Sequence, residues 1–416
     1  MTPERFLLAM ALFHLTVLAV MWRMTADWRD PARGELATWP WFLELTRTLV
    51  PLAVCTYLLS LAASLVANLD RLAGLRVGAI SGRLMGQALF GEAIVLAVGL
   101  ALWHRKAARP GRAGALGAVG LSLFAVYVDA YHVEPRLLFV RRHTVDWADG
   151  AADATVVRIL HVTDIQTPVI GEREERALRT GLEYRPDLIV LTGDYVQDLL
   201  GRPTEAKAMR DLRKLIARIG FDAPLGTFAT DGDAGPQCRE VFAGTRIRCL
   251  VDEGALVQLP GGNALSITGL SRHRGRERDP AWLARLMARS PDASYRMFIS
   301  HAPDFVDALP QPVDLALAGH THGGQVVIPF FGPPKTASRL PRRYAADLHD
   351  FRGTPLHVSR GVGMERGFTV PVRFLCPPEI CVLDVRLPGV STKSAALPRR
   401  AVPPRGLALG PAGAGE

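Results

Sequence analysis

Four apolar runs lie ahead of residue 131, over 6–22, 48–67, 84–103 and 113–128. They limit what the chain can become more than any other feature does. A helix needs roughly 20 residues to cross the hydrocarbon core of a bilayer, with about 17 as the short limit, so each run is long enough or nearly so. One such run alone reads equally well as the buried helix of a soluble core. Four in succession, joined by short Arg-bearing loops, predict a helical membrane region. Composition agrees, because hydrophobic residues reach 49% and mean hydropathy is +0.14 in a chain with 21% charged residues, which requires the apolar excess to be concentrated somewhere. The first run has only Arg5 as a basic residue before it and no small-residue cleavage site after it, so it reads as a retained anchor, not a removed signal peptide. Basic residues fall equally on the two sides of the expected spans, so the positive-inside rule gives no orientation.

The formal charge is +9, but the arginines are scattered over loops, helix surfaces and a Pro-rich tail with no aromatic stripe among them, so no nucleic-acid partner is expected. An anionic bilayer surface beside the juxtamembrane arginines accounts for the charge. Of the five cysteines, none shows CxxC spacing, and small buried residues are the plain reading. A Cys238–Cys249 disulfide stays open as an alternative should that region face an oxidising compartment.

From Val156 onward, strand-like and helix-like segments alternate. Strands are expected over 156–162, 187–191, 226–230, 265–268, 296–300, 315–318, 326–328, 356–359 and 380–385, with helices over 172–184, 205–219 and 280–288. The first strand, helix and second strand make a βαβ unit. Residues 388–416, rich in Pro, Ala, Gly and Arg, lack the apolar periodicity to fold. The expected organisation is a transmembrane region of about four helices over 1–131, a linker over 132–155, an α/β domain over 156–387 and a disordered tail. A fragment starting near Val156 is expected to be soluble.

Metal-ligand side chains recur just past the predicted strands: Asp164, Asp194, Asp233, His301, and then His320 with His322. Residues leaving the carboxyl ends of neighbouring strands converge in one crevice of an α/β sheet. Any one of them alone has a bland reading, Asp194 as a turn acid after Gly193 and His301 as a satisfied buried histidine. Six in that position are harder to explain so. Gly319-His320-Thr321-His322-Gly323-Gly324 carries the most information, since two imidazoles two residues apart among glycines suit a loop wrapped closely on a metal. Arg272, His273 and Arg274 follow the strand over 265–268 as candidate phosphate contacts, although a solvated charge cluster is the plainer reading.

These segments resemble the calcineurin-like metallophosphoesterase family. The matching stretches are His161-Val162-Thr163-Asp164-Ile165-Gln166, Leu191-Thr192-Gly193-Asp194, Ile299-Ser300-His301-Ala302-Pro303-Asp304 and Gly319 to Gln325. Val358-Ser359-Arg360-Gly361 and Pro371-Val372-Arg373-Phe374 resemble its membrane-associated branch, which implies an integral protein of a bacterial inner membrane with the side of its catalytic domain left open. The resemblance implies a β-sandwich flanked by helices, in four α/β/β/α layers, holding two divalent metals with a bridging hydroxide that attacks phosphorus in line. It assigns Asp164 and His322 to the first metal, His301, His320 and Asp233 to the second, and Asp194 as the bridge.

The chain departs from that pattern where Gln166 replaces a histidine and where Gly232-Asp233-Ala234-Gly235 replaces Gly-Asn-His-(Asp/Glu). An amide oxygen at Gln166 is a harder, weaker ligand than imidazole and favours Mn²⁺ or Mg²⁺ over Fe or Zn. Asp233 adds a negative charge that strengthens cation binding but repels phosphate. Ala234 can supply no proton to a leaving group. The expected function is a membrane-anchored, metal-dependent hydrolase of a phosphomonoester, phosphodiester or pyrophosphate, with a phospholipid or lipid-linked substrate favoured by the tether. The alternative is a catalytically silent, membrane-tethered metal-binding or scaffold protein that retains the fold.

Overall fold

The computed structural model describes residues 77–147, 155–197, 202–275, 279–289, 295–366 and 371–387. The expected spans over 6–22 and 48–67 and the tail after 387 lie outside them. Helices α1 (Val77–Lys106) and α2 (Pro110–Val128) form a hairpin. Pro110 opens α2, where a missing N–H is harmless. The helices touch at Gly120, where a Cβ would stand 3.2 Å from Val98 Cγ2, and the Phe90 ring meets Tyr127 and Tyr131 at tilted and edge-on angles, 6.1 Å from each. Among the described residues, one helical run, Pro110–Arg136, is long and apolar enough to cross a membrane.

Twelve strands follow among the described residues, in two six-stranded mixed sheets. The first sheet contains β1 (Phe139–Asp146), β2 (Thr155–Val162), β3 (Leu188–Leu191), β4 (Thr227–Ala229), β5 (Arg248–Cys249) and, from the chain's end, β12 (Glu379–Leu387), in the order β1-β12-β2-β3-β4-β5. The second contains β6 (Glu253–Gln258), β7 (Ala264–Gly269), β8 (Tyr295–Ile299), β9 (Leu315–Ala318), β10 (Asp347–Phe351) and β11 (Thr354–Val358), in the order β10-β11-β9-β8-β7-β6. The period-2 alternation of side chains divides each strand between two cores. In β2, Val157 and Ile159 meet Leu315 and Leu317 of β9 between the sheets. Leu160 and Val162 point the other way, to Leu178 of α3 (Glu172–Glu183) and Leu212 of α4 (Arg202–Ile219). On the far side, Ala316 and Ala318 of β9 pack with Leu283 and Leu286 of the later helix Pro280–Met287. Burial on both faces explains why β3 and β9 are continuous apolar runs. The order α/β/β/α follows from these three cores.

Two readings of the sequence need correction. Residues 132–155 are not merely a connector: Phe139–Asp146 forms β1, paired in parallel with β12 from Phe139↔Glu379 to Asp146↔Arg386. Its sequence, FVRRHTVD, is half exposed as an edge strand, so it lacks an apolar signature. Residues 326–328 form only isolated bridges, Val326 to Phe374 and Ile328 to Gly332, because the chain turns back at Gly332. Cys238, at the start of a one-turn helix (Cys238–Val241), is joined by a disulfide to Cys249 of β5.

The helix hairpin is bonded directly to the sheet domain. The Arg373 N–H donates to the Ala130 carbonyl at 3.0 Å, and the buried Glu134 carboxylate accepts the backbone N–H groups of Leu375, at 2.7 Å, and Cys376. Arg373 is itself fully buried and donates to the carbonyls of Arg360, Gly363, Cys376 and His322.

Candidate metal centre

The seven residues singled out by the sequence meet at the carboxyl ends of the strands. Asp164 and Gln166 follow β2, Asp194 follows β3, Asp233 follows β4, His301 follows β8, and His320 and His322 follow β9. His301 lies at the middle: its Nε2 is 3.3 Å from Asp194 Oδ2, 3.2 Å from Asp233 Oδ1 and 3.1 Å from His320 Nδ1. Asp233 Oδ2 is 3.4 Å from His320 Nδ1. Asp164 Oδ1 is 4.0 Å from His301 Nδ1 and 3.6 Å from His322 Nε2. Two metal-sized ligand groups overlap at His301, one of Asp233, His301 and His320 and one of Asp164, Asp194 and His301.

Backbone geometry explains why these side chains converge. Asp164, Gln166, Asp194, His320 and His322 all have positive φ, between 39° and 68°. Such conformations strain non-glycine residues by about 1–3 kcal/mol each and gather at functional sites. Gly319 allows the close approach, since a Cβ there would lie 2.1 Å from Thr163 Oγ1 and 2.3 Å from Asp164 Oδ2.

Asp164, Asp194 and His301 are braced from outside. Asp164 Oδ2 accepts from Thr163 Oγ1 at 2.8 Å and the His320 N–H at 3.1 Å. Asp194 Oδ1 accepts the Ala234 N–H at 2.8 Å, and His301 Nδ1 contacts the Thr192 carbonyl at 2.9 Å. Of the basic loop, Arg272 reaches this rim and donates to the Asp233 carbonyl at 2.8 Å. Arg274 lies over the Trp282 ring instead.

The cluster fits cations on electrostatic grounds. Three buried atoms have no hydrogen-bond partner: Asp164 Oδ1, Gln166 Oε1 and His322 Nδ1. Leaving such an atom unsatisfied costs about 1–3 kcal/mol. Burial, with the charge of Asp194, pushes the Asp164 carboxyl up to about 6. Burial opposes charge on His301 as well, but Asp194, Asp233 and Asp164 outweigh it and hold the imidazolium well above its ordinary range. Asp233 resists burial in the same way, kept well below the carboxylate range by its bonds to His301 and His320. Burial and the neighbouring Arg373 keep His322 neutral, well below the usual imidazole value. One proton on His301 therefore offsets part of the carboxylate charge that divalent cations would offset more fully.

Glu365 was not apparent from the sequence. Its Oε2 accepts from Gln166 Nε2 at 2.8 Å and its Oε1 from Gln197 Nε2 at 3.0 Å. Because Gln166 gives its amide N–H to Glu365, its Oε1 is left with a lone pair for a cation. Glu365→Ala is expected to weaken metal affinity about 10–100-fold, as loss of an orienting partner typically does, measured by competition against a chromophoric chelator. Unchanged affinity would remove Gln166 from the ligand set.

A two-sheet α/β domain that gathers aspartates and histidines at its strand ends has the arrangement expected of a metallophosphoesterase domain. Residues 157–324 match the family model described as calcineurin-like phosphoesterase, so the chain carries a calcineurin-like phosphoesterase domain. The uncharacterized metallophosphoesterase YkuE of Bacillus subtilis is 28% identical over 295 residues, covering 66% of this chain and 95% of that protein. Phosphodiesterase YaeI of Escherichia coli is 28% identical over 222 residues, covering 50% and 74%. The UDP-2,3-diacylglucosamine pyrophosphatase LpxG of Chlamydia muridarum is 22% identical over 331 residues, covering 64% and 95%.

Proposed function

We propose that the chain is a membrane-anchored phosphoesterase that uses two divalent cations, Mn²⁺ or Mg²⁺ in preference to Fe or Zn, to hydrolyse a phosphoester or pyrophosphate bond of a lipid-linked substrate. Bound cations supply Lewis-acid polarisation of the phosphoryl oxygens and lower the pKa of a bound water. Asp164, Gln166 and His322 would hold one cation, Asp233, His301 and His320 the other, and Asp194 would serve both. The outside braces fix these side chains before substrate arrives, so little reorganisation is needed at the moment of reaction. The oxygen donors Gln166 and Asp233 favour the harder metals. Ala234 offers no side-chain proton, which leaves solvent to protonate the departing group.

The observation that carries the lipid assignment is the loop after His322. Ile328, Phe330 and Phe331 are exposed there, Phe330 fully so. This loop is bonded through Val327 and Gln325 to Phe374, next to the Arg373–Cys376 segment that binds the end of the apolar helical run. Arg342 lies over the Phe331 ring at 4.8 Å, so apolar rings and a cation share one face, as suits an anionic lipid surface. The pyrophosphatase activity of LpxG on a diacylated nucleotide sugar supports the same substrate class.

The test is the Phe330→Ser, Phe331→Ser double variant of the full chain, assayed in parallel on a lipid pyrophosphate in vesicles and on a soluble nitrophenyl phosphodiester. KM for the vesicle substrate should rise about ten- to hundredfold per ring withdrawn from lipid, the equivalent of about 1.5–3 kcal/mol, with hydrolysis of the soluble ester unchanged. Equal effects on both substrates would overturn the lipid assignment. Stoichiometric metal with no turnover of either by the unmodified chain would leave a tethered metal-binding scaffold.

A further inference from the structure

A second group of ligand-type side chains lies inside the sandwich. His143 on β1, His357 on β11 and Cys381 on β12 each offer an atom within 4.8 Å of the others. The three come from both sheets, and the apolar residues around Cys381, among them Leu317 and Leu383, belong to the core between the sheets. His357 and Cys381 are fully buried. An imidazole at such a place needs partners for both its nitrogens, yet His357 Nε2 and His143 Nε2 are buried with none.

We propose that His143, His357 and Cys381 form a second metal site, for a thiophilic cation such as Cu⁺ or Zn²⁺. Two imidazoles and one thiolate make a donor set that soft and borderline cations prefer to the hard cations suited to carboxylates and amides. Binding releases the Cys381 thiol proton to solvent and places the cation on the sulfur and on the two partnerless nitrogens. The remaining nitrogen of His357 is already oriented, since its Nδ1 is 2.9 Å from His161 Nδ1, and His161 Nε2 is 2.8 Å from Thr192 Oγ1. When His357 Nδ1–H donates to His161, and His161 Nε2–H donates to Thr192, His357 Nε2 carries a bare lone pair. That relay fixes the metal-ready tautomer, as outer partners of ligating histidines commonly do. The charges nearby are already matched: Arg360 pairs with Asp347 at 2.7 Å and with Glu379 at 2.5 Å, and Arg141 lies 3.6 Å from Glu379. The seven residues proposed for the phosphoesterase centre offer only oxygen and nitrogen, so sulfur ligation distinguishes the two sites.

The test is a titration of the reduced full-length chain in detergent with Co²⁺, read by its thiolate-to-metal charge-transfer absorption, followed by displacement with Zn²⁺ and, without oxygen, Cu⁺. One equivalent should generate the sulfur band, and Zn²⁺ or Cu⁺ should abolish it. Cys381→Ser should lose the band with its thermal unfolding otherwise preserved, while Cys376, the other free thiol among the described residues, remains. His143→Gln, on the edge strand, should weaken Co²⁺ binding at least tenfold, and it serves as the measurement should the serine variant fail to fold. Absence of a sulfur band in the unmodified chain, or a band of full strength in either folded variant, would overturn the proposal.

Discussion

Asp194→Ala is expected to lower hydrolysis of a nitrophenyl phosphodiester about 10³-fold or more and to reduce bound metal below two equivalents. Asp194 is the carboxylate proposed to serve both cations, and its Oδ1 is held by the Ala234 N–H while its Oδ2 lies 3.3 Å from His301 Nε2. Metal stabilisation of developing phosphoryl charge is worth several kcal/mol, and each 1.36 kcal/mol is tenfold in rate. His320→Ala should act alike by removing the imidazole that faces Asp233. Gln166→Ala should do less, because a neutral amide oxygen binds a cation more weakly than a carboxylate or imidazole. Elemental analysis beside the rate assay checks all three. Wild-type stoichiometry in every variant would mean that this constellation is not where metal binds.

Ala234→His is expected to accelerate cleavage of esters with poor leaving groups by as much as about 10²–10⁴-fold, the usual contribution of a positioned general acid. Residue 234 already borders the centre through its N–H on Asp194 Oδ1, and a new imidazole leaves that backbone bond intact. The unmodified chain must release the leaving group as its anion, or with a proton from water, so its rate should fall steeply as leaving-group pKa rises. The variant should flatten that slope at saturating metal. Asp233→Asn combined with Ala234→His guards against the added carboxylate charge masking the gain. A slope that is shallow in the unmodified chain and unchanged in both variants would mean another group supplies the proton.

The parts of the fold readable in the sequence are those where burial sets the pattern. β3 and β9, buried on both faces, stand out as apolar runs, and α4 shows through its apolar stripe. β1, β6 and β10 did not stand out, because all three lie at sheet edges, with half or more of β1 and β6 exposed, and an exposed edge needs no apolar alternation. The ligand types were legible from their recurrence after strands. Their geometry was not, since nothing in the letters Asp164, Asp194 or His322 announces a positive φ. Glu365 was hidden for another reason. It joins Gln166 and Gln197 across 199 and 168 residues of chain, and only the folded molecule brings them together.

The pairing of β1 with β12, and the grip of Glu134 on Leu375 and Cys376, bear on how this chain can be divided. A fragment beginning at Val156 would lack both, exposing the β12 edge and leaving two backbone donors without their carboxylate. Its boundary belongs instead before Glu134. By the same reasoning, a protease nick between β1 and β2 would not shed the catalytic half from the helices. Eight residue pairs of parallel ladder, from Phe139↔Glu379 to Asp146↔Arg386, and the Glu134 clamp would hold the severed pieces together as one particle until they were denatured.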